Sequence, residues 1–267
     1  MARPFDMRRR PGFTVIAITT FALLYLPIAV LVVYSFNVGS SMAKWEGFSF
    51  AWYTVAWNNN AVVEASLRSL QIGVIASVLA TIAATMVALS TTRVAPYRGL
   101  SFKFAFINQP LMVPEIVTAV ALLIVFSRLK AWTGYSGLGY LIFAHTAFCI
   151  PFAYMPIRAR LEGMDDSLET AAYDLYASRW RAFLHVTLPI LWPGIVAGLM
   201  LAFVISLDDV IITEFVKSAG QDTLPTYMLG AIRRNPTPEL NAIAACFLLL
   251  SIVLVAVFFV VNNKKKA

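Results

Sequence analysis

Six long apolar runs constrain the fold of this chain more than any other feature of its sequence. They lie at about Phe13–Phe36, Ser66–Ser90, Phe104–Phe126, Leu138–Ile157, Ile190–Phe215 and Asn241–Val261. A bilayer-spanning helix needs roughly 20 apolar residues at about 1.5 Å of rise each, and every run meets that length. Strands of a membrane barrel would instead alternate polar and apolar residues. Because 60% of the residues are hydrophobic and only 13% are charged, the sequence predicts an all-α membrane protein with six transmembrane helices.

The positive charges lie unevenly at the ends of these runs. One set of ends carries fourteen of them: Arg3, Arg8, Arg9, Arg10, Arg93, Arg98, Lys103, Arg158, Arg160, Arg179, Arg181, Lys264, Lys265 and Lys266. The other set carries seven: Lys44, Arg68, Arg128, Lys130, Lys217, Arg233 and Arg234. Because cytoplasmic loops hold the excess of Lys and Arg, we expect both termini in the cytoplasm and loops 37–65, 127–137 and 216–240 on the outer side.

Several other classes of function are disfavoured by the sequence. The net charge of +7 is spread over four membrane-edge segments, which indicates topology rather than a nucleic-acid surface. Cys149 and Cys246 lie inside predicted spans, and no cluster of ligands surrounds them or the two histidines, so we expect no metal site. We interpret His145 as a core histidine. No Gly-rich phosphate loop is found, which predicts that the chain has no catalytic residues and does not hydrolyse ATP. Without a linker between spans, we expect one domain over residues 1–267.

A charged helical stretch separates the fourth and fifth apolar runs. It lies within the predicted cytoplasmic loop 158–189, and we call this loop the coupling segment. Acidic residues come first and basic residues last over Asp165–Phe183, the order that complements a helix dipole. Apolar residues recur at helical spacing along this stretch and form a stripe that needs a partner. The pattern predicts an amphipathic helix that docks on another protein and breaks by Pro189.

The coupling segment resembles the cytoplasmic signature of binding-protein-dependent ABC importer permeases. That signature reads Glu-Ala-Ala, three residues, Gly, nine residues, Ile, one residue, Leu-Pro. The residues at its positions here are Thr170, Ala171, Ala172, Tyr176, Val186, Leu188 and Pro189. Thr170 replaces the acid, although Glu169 precedes it. The resemblance implies that these residues, together with Glu169 and Asp174, form the contact with an ATPase.

Tyr176 is the larger departure from this signature. It replaces a glycine, the residue that permits a turn between two short helices. With a tyrosine at this place, we expect the docking helix either to continue or to be reoriented.

Three further stretches are similar to the spermidine/putrescine subgroup of these permeases, specifically to its second membrane subunit: SLDDVIIT at 206–213, QPLMVPEIV at 109–117 and TLPTYMLGAIRRNPTPELNA at 223–242. The resemblance implies a type I ABC importer permease of the bacterial inner membrane, with the outer loops in the periplasm. It implies a sister permease subunit, an ATPase dimer and a periplasmic substrate-binding protein as partners. ATP and Mg are then bound by the ATPase, and no cofactor is expected in this chain.

Three carboxylates lie inside predicted spans: Asp208 and Asp209 in the fifth, and Glu115 in the middle of the third. Ionisable groups in a span cost about 2.5–3.5 kcal/mol each on insertion scales, so they usually face a cavity and serve a function. We expect them to line a path for a cation, with aromatic or apolar walls. Alternatively, one aspartate caps a break in the helix or pairs with the sister subunit, and Glu115 satisfies backbone groups freed by Pro110 and Pro114. Adjacent helical residues point about 100° apart, so we do not expect both aspartates to face one lumen.

The sequence leaves other transport functions open. Importer permeases for opines, amino-acid-like solutes or iron share the same plan, and only the acidic positions favour a polyamine. An ion-coupled secondary transporter would also use intramembrane carboxylates, but it usually has interrupted helices in both halves, and only the third span is rich in proline. The outer segment Gln221–Glu239 fits either a docking or gating site for the delivery protein or a solvated loop.

Overall fold

The computed structural model describes residues 11–41, 44–92, 98–234 and 236–263, and of residues 11 and 257–263 it describes the backbone alone. Within these ranges the helices are α1 (Pro11–Tyr34), α2 (Ala51–Asn58), α3 (Asn60–Thr91), α4 (Leu100–Met112), α5 (Glu115–Thr133), α6 (Gly139–Glu162), α7 (Ser167–Asp174), α8 (Arg179–Ala182), α9 (Leu188–Asp208), α10 (Ile211–Val216), α11 (Leu224–Arg234) and α12 (Glu239–Asn263). Six helical stretches of the described chain are long and apolar enough to cross a membrane. The predicted all-α fold with six transmembrane helices is confirmed.

The orientation of the chain stays a prediction. Several of the positive charges on which it depends lie outside the described residues: Arg3, Arg8, Arg9, Arg10, Arg93, Lys264, Lys265 and Lys266. Much of the coupling segment is helical, because α6 continues to Glu162 and the next long helix begins at Arg179.

The prediction of one helix over the third span, Phe104–Phe126, is wrong. Val113 is extended, with φ −96° and ψ 136°, so α4 ends before it and α5 begins two residues later. The ring of Pro114 pushes the residue before it out of the helical region, which explains the position of the break. The membrane-crossing helix is α5, and Glu115 is its first residue, not the middle of a span.

The fifth predicted span, Ile190–Phe215, is also interrupted. The long helix α9 ends at Asp208, and Asp209 is extended, with φ −64° and ψ 130°. The chain becomes helical again in α10, which starts at Ile211. The third and fifth spans are therefore both broken helices, although proline precedes only the first of the two breaks.

The docking helix breaks before Pro189, as expected, but Pro189 itself does not end a helix. The helix α8, a π-helical turn at Phe183–Thr187 and α9 form one continuous helix from Arg179 to Asp208. Pro189 occupies the first turn of α9, where the preceding π-helical turn changes the backbone hydrogen-bond pattern. The expected break lies earlier, between α7 and α8.

The described chain divides into two units, residues up to 60 with 230–252, and residues 61–229 with those from 253 onward. In the second unit, α6 packs against α9, and α5 packs against α10. Two glycines of α9 allow the close approach to α6. A Cβ on Gly198 would lie 2.7 Å from the backbone oxygen of Ala153, and one on Gly194 would lie 2.8 Å from Cβ of Arg160. Small residues four apart commonly let membrane helices approach closely.

In the first unit, the chain after α1 folds around the buried side chain of Asn37. Its amide nitrogen donates to the carbonyl oxygens of Ser41 and Lys44, and its Oδ1 accepts from the N–H of Glu46. This part of the predicted outer loop 37–65 is thus an ordered turn. The side chains of α1 that the structure describes remain largely exposed, which leaves them to face lipid or another helix.

We expect Gly198→Ala to destabilise the protein, because the added Cβ would meet a backbone oxygen that moves only if α6 moves. Overpacking of this kind typically costs about 1–3 kcal/mol. Gly163→Ala is the matched control, since a Cβ there meets no atom closer than 3.6 Å. Thermal unfolding of the purified protein in detergent measures both variants. Equal unfolding temperatures would contradict the close packing of α6 against α9.

Candidate functional site

A cavity of about 420 Å³ lies next to the breaks of the third and fifth spans. Its lining consists of Glu115, Phe148, Phe152, Val204, Ile205, Asp208, Asp209, Val210 and Ile211. The fold thus brings together the three carboxylates that the sequence singled out. Two phenylalanines of α6 supply an aromatic wall, which attracts cations through the negative faces of the rings. Within the described ranges, no group of three His, Cys, Asp or Glu residues is arranged to hold a metal ion.

Asp209 caps the helix that follows the break. Its side chain is buried, and its carboxylate accepts hydrogen bonds from the backbone N–H of Ile212 at 3.2 Å and of Thr213 at 2.9 Å. The hydroxyl of Thr213 donates a third bond to Asp209 Oδ2 at 2.7 Å. These bonds satisfy N–H groups that an interrupted helix would otherwise leave without partners in the membrane.

Asp208 stands in a different environment from its neighbour. It is exposed and lines the same cavity, and its side chain forms no hydrogen bond or ion pair with any other residue in the described part of the chain. Because α9 ends between the two aspartates, the helical spacing on which the expectation for their directions depended does not apply. Both reach the cavity, but only Asp208 has its carboxylate available to a ligand.

Glu115 approaches the aspartates from the opposite helix. It is partly exposed at the first turn of α5, where the free N–H groups of a helix favour a negative charge. Glu115 and Asp209 line the same cavity. Carboxylates that share a cavity repel each other, so the cavity favours a positive charge beside them.

His145 joins this site from α6, which the sequence did not predict. Its ring is 1% exposed, with Nδ1 2.8 Å from Ser206 Oγ and Nε2 2.9 Å from Thr213 Oγ1. Nε2 also lies 3.4 Å from Asp209 Oδ2. It is a core histidine, as interpreted, yet one in contact with the carboxylate cluster. In the sequence, the only sign that His145 belongs to the site was its location in a predicted span, because its partners lie 61 and 68 positions away.

The other end of α10 is held by Lys130 from the last turn of α5. Its Nζ donates to the carbonyl oxygen of Val216 at 3.0 Å and to Ser218 Oγ at 2.9 Å, and it lies 5.5 Å from the ring centre of Tyr140. A cation at the C-terminus of a helix satisfies its last carbonyl groups and its dipole. The short helix beside the cavity is therefore fixed at both ends by side chains.

The chain beyond α10 is ordered by charge pairs. Lys217 Nζ contacts Glu214 at 2.6 Å and Asp222 at 2.7 Å. Burial alone would lower the pKa of Lys217, but hydrogen bonds and attraction to these two carboxylates outweigh burial and raise that pKa. The backbone N–H of Leu224 donates to Ser69 Oγ, and Leu224 is buried. The segment Gln221–Glu239 thus includes a helix and buried side chains, and its docking or gating role stays a prediction.

The coupling segment turns sharply at Tyr176. Tyr176 has φ +60°, its N–H donates to the carbonyl of Tyr173, and the N–H of Ala177 donates to that of Ala172. These bonds form the Schellman motif, whose left-handed position is usually glycine. The docking helix therefore does not continue, and the turn of the glycine signature is kept with a tyrosine in its place.

The tip of the coupling segment carries exposed apolar side chains. The exposed fractions are 82% for Leu175, 97% for Tyr176 and 66% for Trp180. Behind this surface, Thr187 donates a hydrogen bond to the carboxylate of Glu169 and so connects α7 to the turn before α9. Of the remaining signature residues, Thr170, Ala171, Asp174 and Pro189 are exposed, and Ala172, Val186 and Leu188 are partly buried.

Comparison with known proteins identifies a family for this arrangement. The model of the family described as "Binding-protein-dependent transport system inner membrane component" matches residues 100–264. The putrescine transport system permease protein PotI of Escherichia coli K12 is 37% identical over 244 residues, which cover 90% of this chain and 86% of that protein. The spermidine/putrescine permease PotC of Haemophilus influenzae is 35% identical over 244 residues, covering 91% and 93%.

Solved structures share the fold at low sequence identity. A bacterial ABC transporter involved in the import of the acidic polysaccharide alginate matches with a TM-score of 0.68 at 14% identity, covering 98% of this chain and 99% of that chain. An amino acid ABC transporter matches with a TM-score of 0.59 at 13% identity, covering 80% and 98%.

We expect Tyr176→Gly to raise the thermal stability of the protein, because a left-handed backbone costs an L-residue roughly 1–2 kcal/mol that glycine avoids. The exposed Tyr176 side chain loses few contacts in exchange. Tyr173→Gly is the matched control: it lies within α7, where glycine costs about 1 kcal/mol relative to good helix formers. Thermal unfolding in detergent should move in opposite directions for the two variants. A lower unfolding temperature for Tyr176→Gly would contradict the strained turn.

Proposed function

This chain belongs to the family of binding-protein-dependent transport system inner membrane components, and we propose that it is the permease subunit of an ATP-driven importer for polyamines such as putrescine and spermidine. As a member of this family with six membrane-crossing helices, it is a multi-pass protein of the inner membrane. One observation supports the choice of substrate: the carboxylate of Asp208, which has no partner among the described residues, faces a cavity whose other lining residues are acidic, aromatic and aliphatic.

A polyamine matches the chemistry of this cavity. Its ammonium groups are separated by flexible methylene chains, so it needs carboxylates for the charges and apolar or aromatic walls for the methylenes. Asp208 and Glu115 supply the charges, and Phe148 and Phe152 supply the walls. An anionic solute would be repelled by the same carboxylates, which disfavours the importers of acidic solutes among the alternatives.

The two adjacent aspartates have separate roles in this proposal. Asp208 meets the passing ammonium group, whereas Asp209 holds α10 in place through its three hydrogen bonds. A site with few available carboxylates binds a cation weakly, and weak binding permits release. High affinity for the substrate then resides in a periplasmic binding protein that delivers it.

Energy for transport comes from a separate ATPase dimer, which binds ATP and Mg, and the second half of the pathway comes from a sister permease subunit. In this proposal the chain has no catalytic residues of its own. The exposed Leu175, Tyr176 and Trp180 insert into a groove of the ATPase, in the manner of a helix-in-groove contact. The hydrogen bond between Glu169 and Thr187 passes the motion of that contact to the long helix that ends at Asp208.

We expect Asp208→Asn to reduce the uptake of labelled putrescine by about ten- to a hundredfold at low substrate, because a charged hydrogen bond contributes about 1.5–3 kcal/mol. Asp209→Asn is the matched control at the next residue. It keeps one capping oxygen and should lower thermal stability more than substrate affinity. The experiment uses cells carrying the whole transport system, with membrane insertion of each variant checked. Unchanged affinity in Asp208→Asn would contradict the cation path, and uptake of an anionic solute instead of polyamines would contradict the substrate.

We expect Leu175→Glu to remove most of the ATPase from the purified complex, because it places a charge in the apolar docking surface. Trp132→Glu is the matched control: Trp132 is similarly exposed, at 85%, and lies at the C-terminal end of α5. Co-purification of the ATPase with each variant gives the readout. Normal recovery of ATPase with Leu175→Glu would contradict docking at this surface.

A further inference from the structure

We propose that His145 is a positioning residue that keeps Asp209 turned away from the substrate and so leaves Asp208 as the aspartate that meets it. The proposal rests on the proposed function and extends it to a buried side chain outside the cavity lining. His145 does not line the cavity itself, and it acts through Thr213 and Asp209.

The hydrogen bonds fix the direction of this chain of contacts. The hydroxyl of Thr213 has one proton, which it donates to Asp209 Oδ2 at 2.7 Å. The contact between Thr213 Oγ1 and His145 Nε2 at 2.9 Å therefore requires a proton on Nε2. Nδ1 then accepts from the hydroxyl of Ser206 at 2.8 Å. Both ring nitrogens of His145 then have a hydroxyl partner, one as donor and one as acceptor, which orients the imidazole ring.

The location of His145 explains how this series of hydrogen bonds restrains the break in the fifth span. Asp209 and Thr213 belong to the break and to a helix of only six residues, whereas His145 belongs to α6, in the core of the second unit. Ser206, Thr213, Asp209 and His145 are each at most 6% exposed, so water has no access to replace a lost bond. Through these hydrogen bonds, His145 therefore connects the interruption between α9 and α10 to the core of the second unit.

Loss of this connection makes more negative charge available in the cavity. Asp209 already borders the cavity. When His145 no longer orients the Thr213 hydroxyl, the Asp209 carboxylate is held by two backbone N–H groups alone and turns more readily towards the ligand. A third available carboxylate strengthens the binding of a cation and slows its release. His145 thus makes the site weak enough for transport.

The experiment measures KM and Vmax of putrescine uptake in cells with the whole transport system. His145→Ala should lower both by about tenfold, the change expected for one added charged contact. His145→Gln keeps a donor for Thr213 and should restore values near the parent. Tyr154→Phe on the same helix is the matched control, because it also removes a buried hydroxyl contact, to Thr91 at 3.1 Å, away from the cavity. In an Asp209→Asn background, His145→Ala should no longer change KM. A reduced Vmax with unchanged KM in His145→Ala would overturn the proposal.

A second measurement does not depend on the substrate. Thermal unfolding of the purified complex is compared for His145→Ala, Thr213→Val and the double variant. Residues in one hydrogen-bond chain show non-additive effects, so the double variant should unfold close to the worse single variant. Additive losses would overturn the positioning role whatever the substrate is. Non-additive losses in a transporter that takes up no polyamine would support the positioning role and contradict the proposed substrate.

Discussion

The structure depends on one requirement: a helix that is interrupted at membrane depth has to satisfy the backbone groups that the interruption frees. The break in the fifth span meets it with side chains, since Asp209 accepts from the first N–H groups of α10 and Lys130 donates to its last carbonyl. Once these groups are satisfied, the break tolerates beside it the carboxylate of Asp208, which has no partner among the described residues. The cavity thus has an available carboxylate because the carboxylate of Asp209 already caps α10.

The same requirement separates two chemically identical residues. Asp208 and Asp209 are adjacent in the chain, yet one is exposed to the cavity and the other is buried and accepts three hydrogen bonds. In the proposed importer, this division places the substrate contact and the structural contact on different side chains. A change in either then has a distinct effect, on affinity in one case and on the integrity of the break in the other.

Hydropathy predicted the six spans because helix length and apolar composition are local properties of the chain. It also located the three carboxylates, since charge in an apolar run is visible in sequence. The breaks were harder to predict: Pro114 marks the first, and the second was raised only as the alternative in which one aspartate caps a break, the role that Asp209 has. His145 and Lys130 were missed because their partners are distant in sequence, and only the packing of α5, α6 and α10 brings them together. With Tyr176 at the glycine position, we expected the helix to continue or to be reoriented. The local hydrogen bonds of the Schellman motif end the helix there and form a turn.

The uninterrupted helix from Arg179 to Asp208 has a consequence for how the two ends of this molecule communicate. Its 30 residues make a rod of roughly 45 Å at 1.5 Å per residue, with the coupling segment at one end and the cavity carboxylate at the other. Pro189 does not break the rod, and the places where it can bend are the π-helical turn at Phe183–Thr187 and Pro193. A shift or rotation imposed at Arg179 therefore reaches Asp208 through a single helix and is reduced only by bending at these two places.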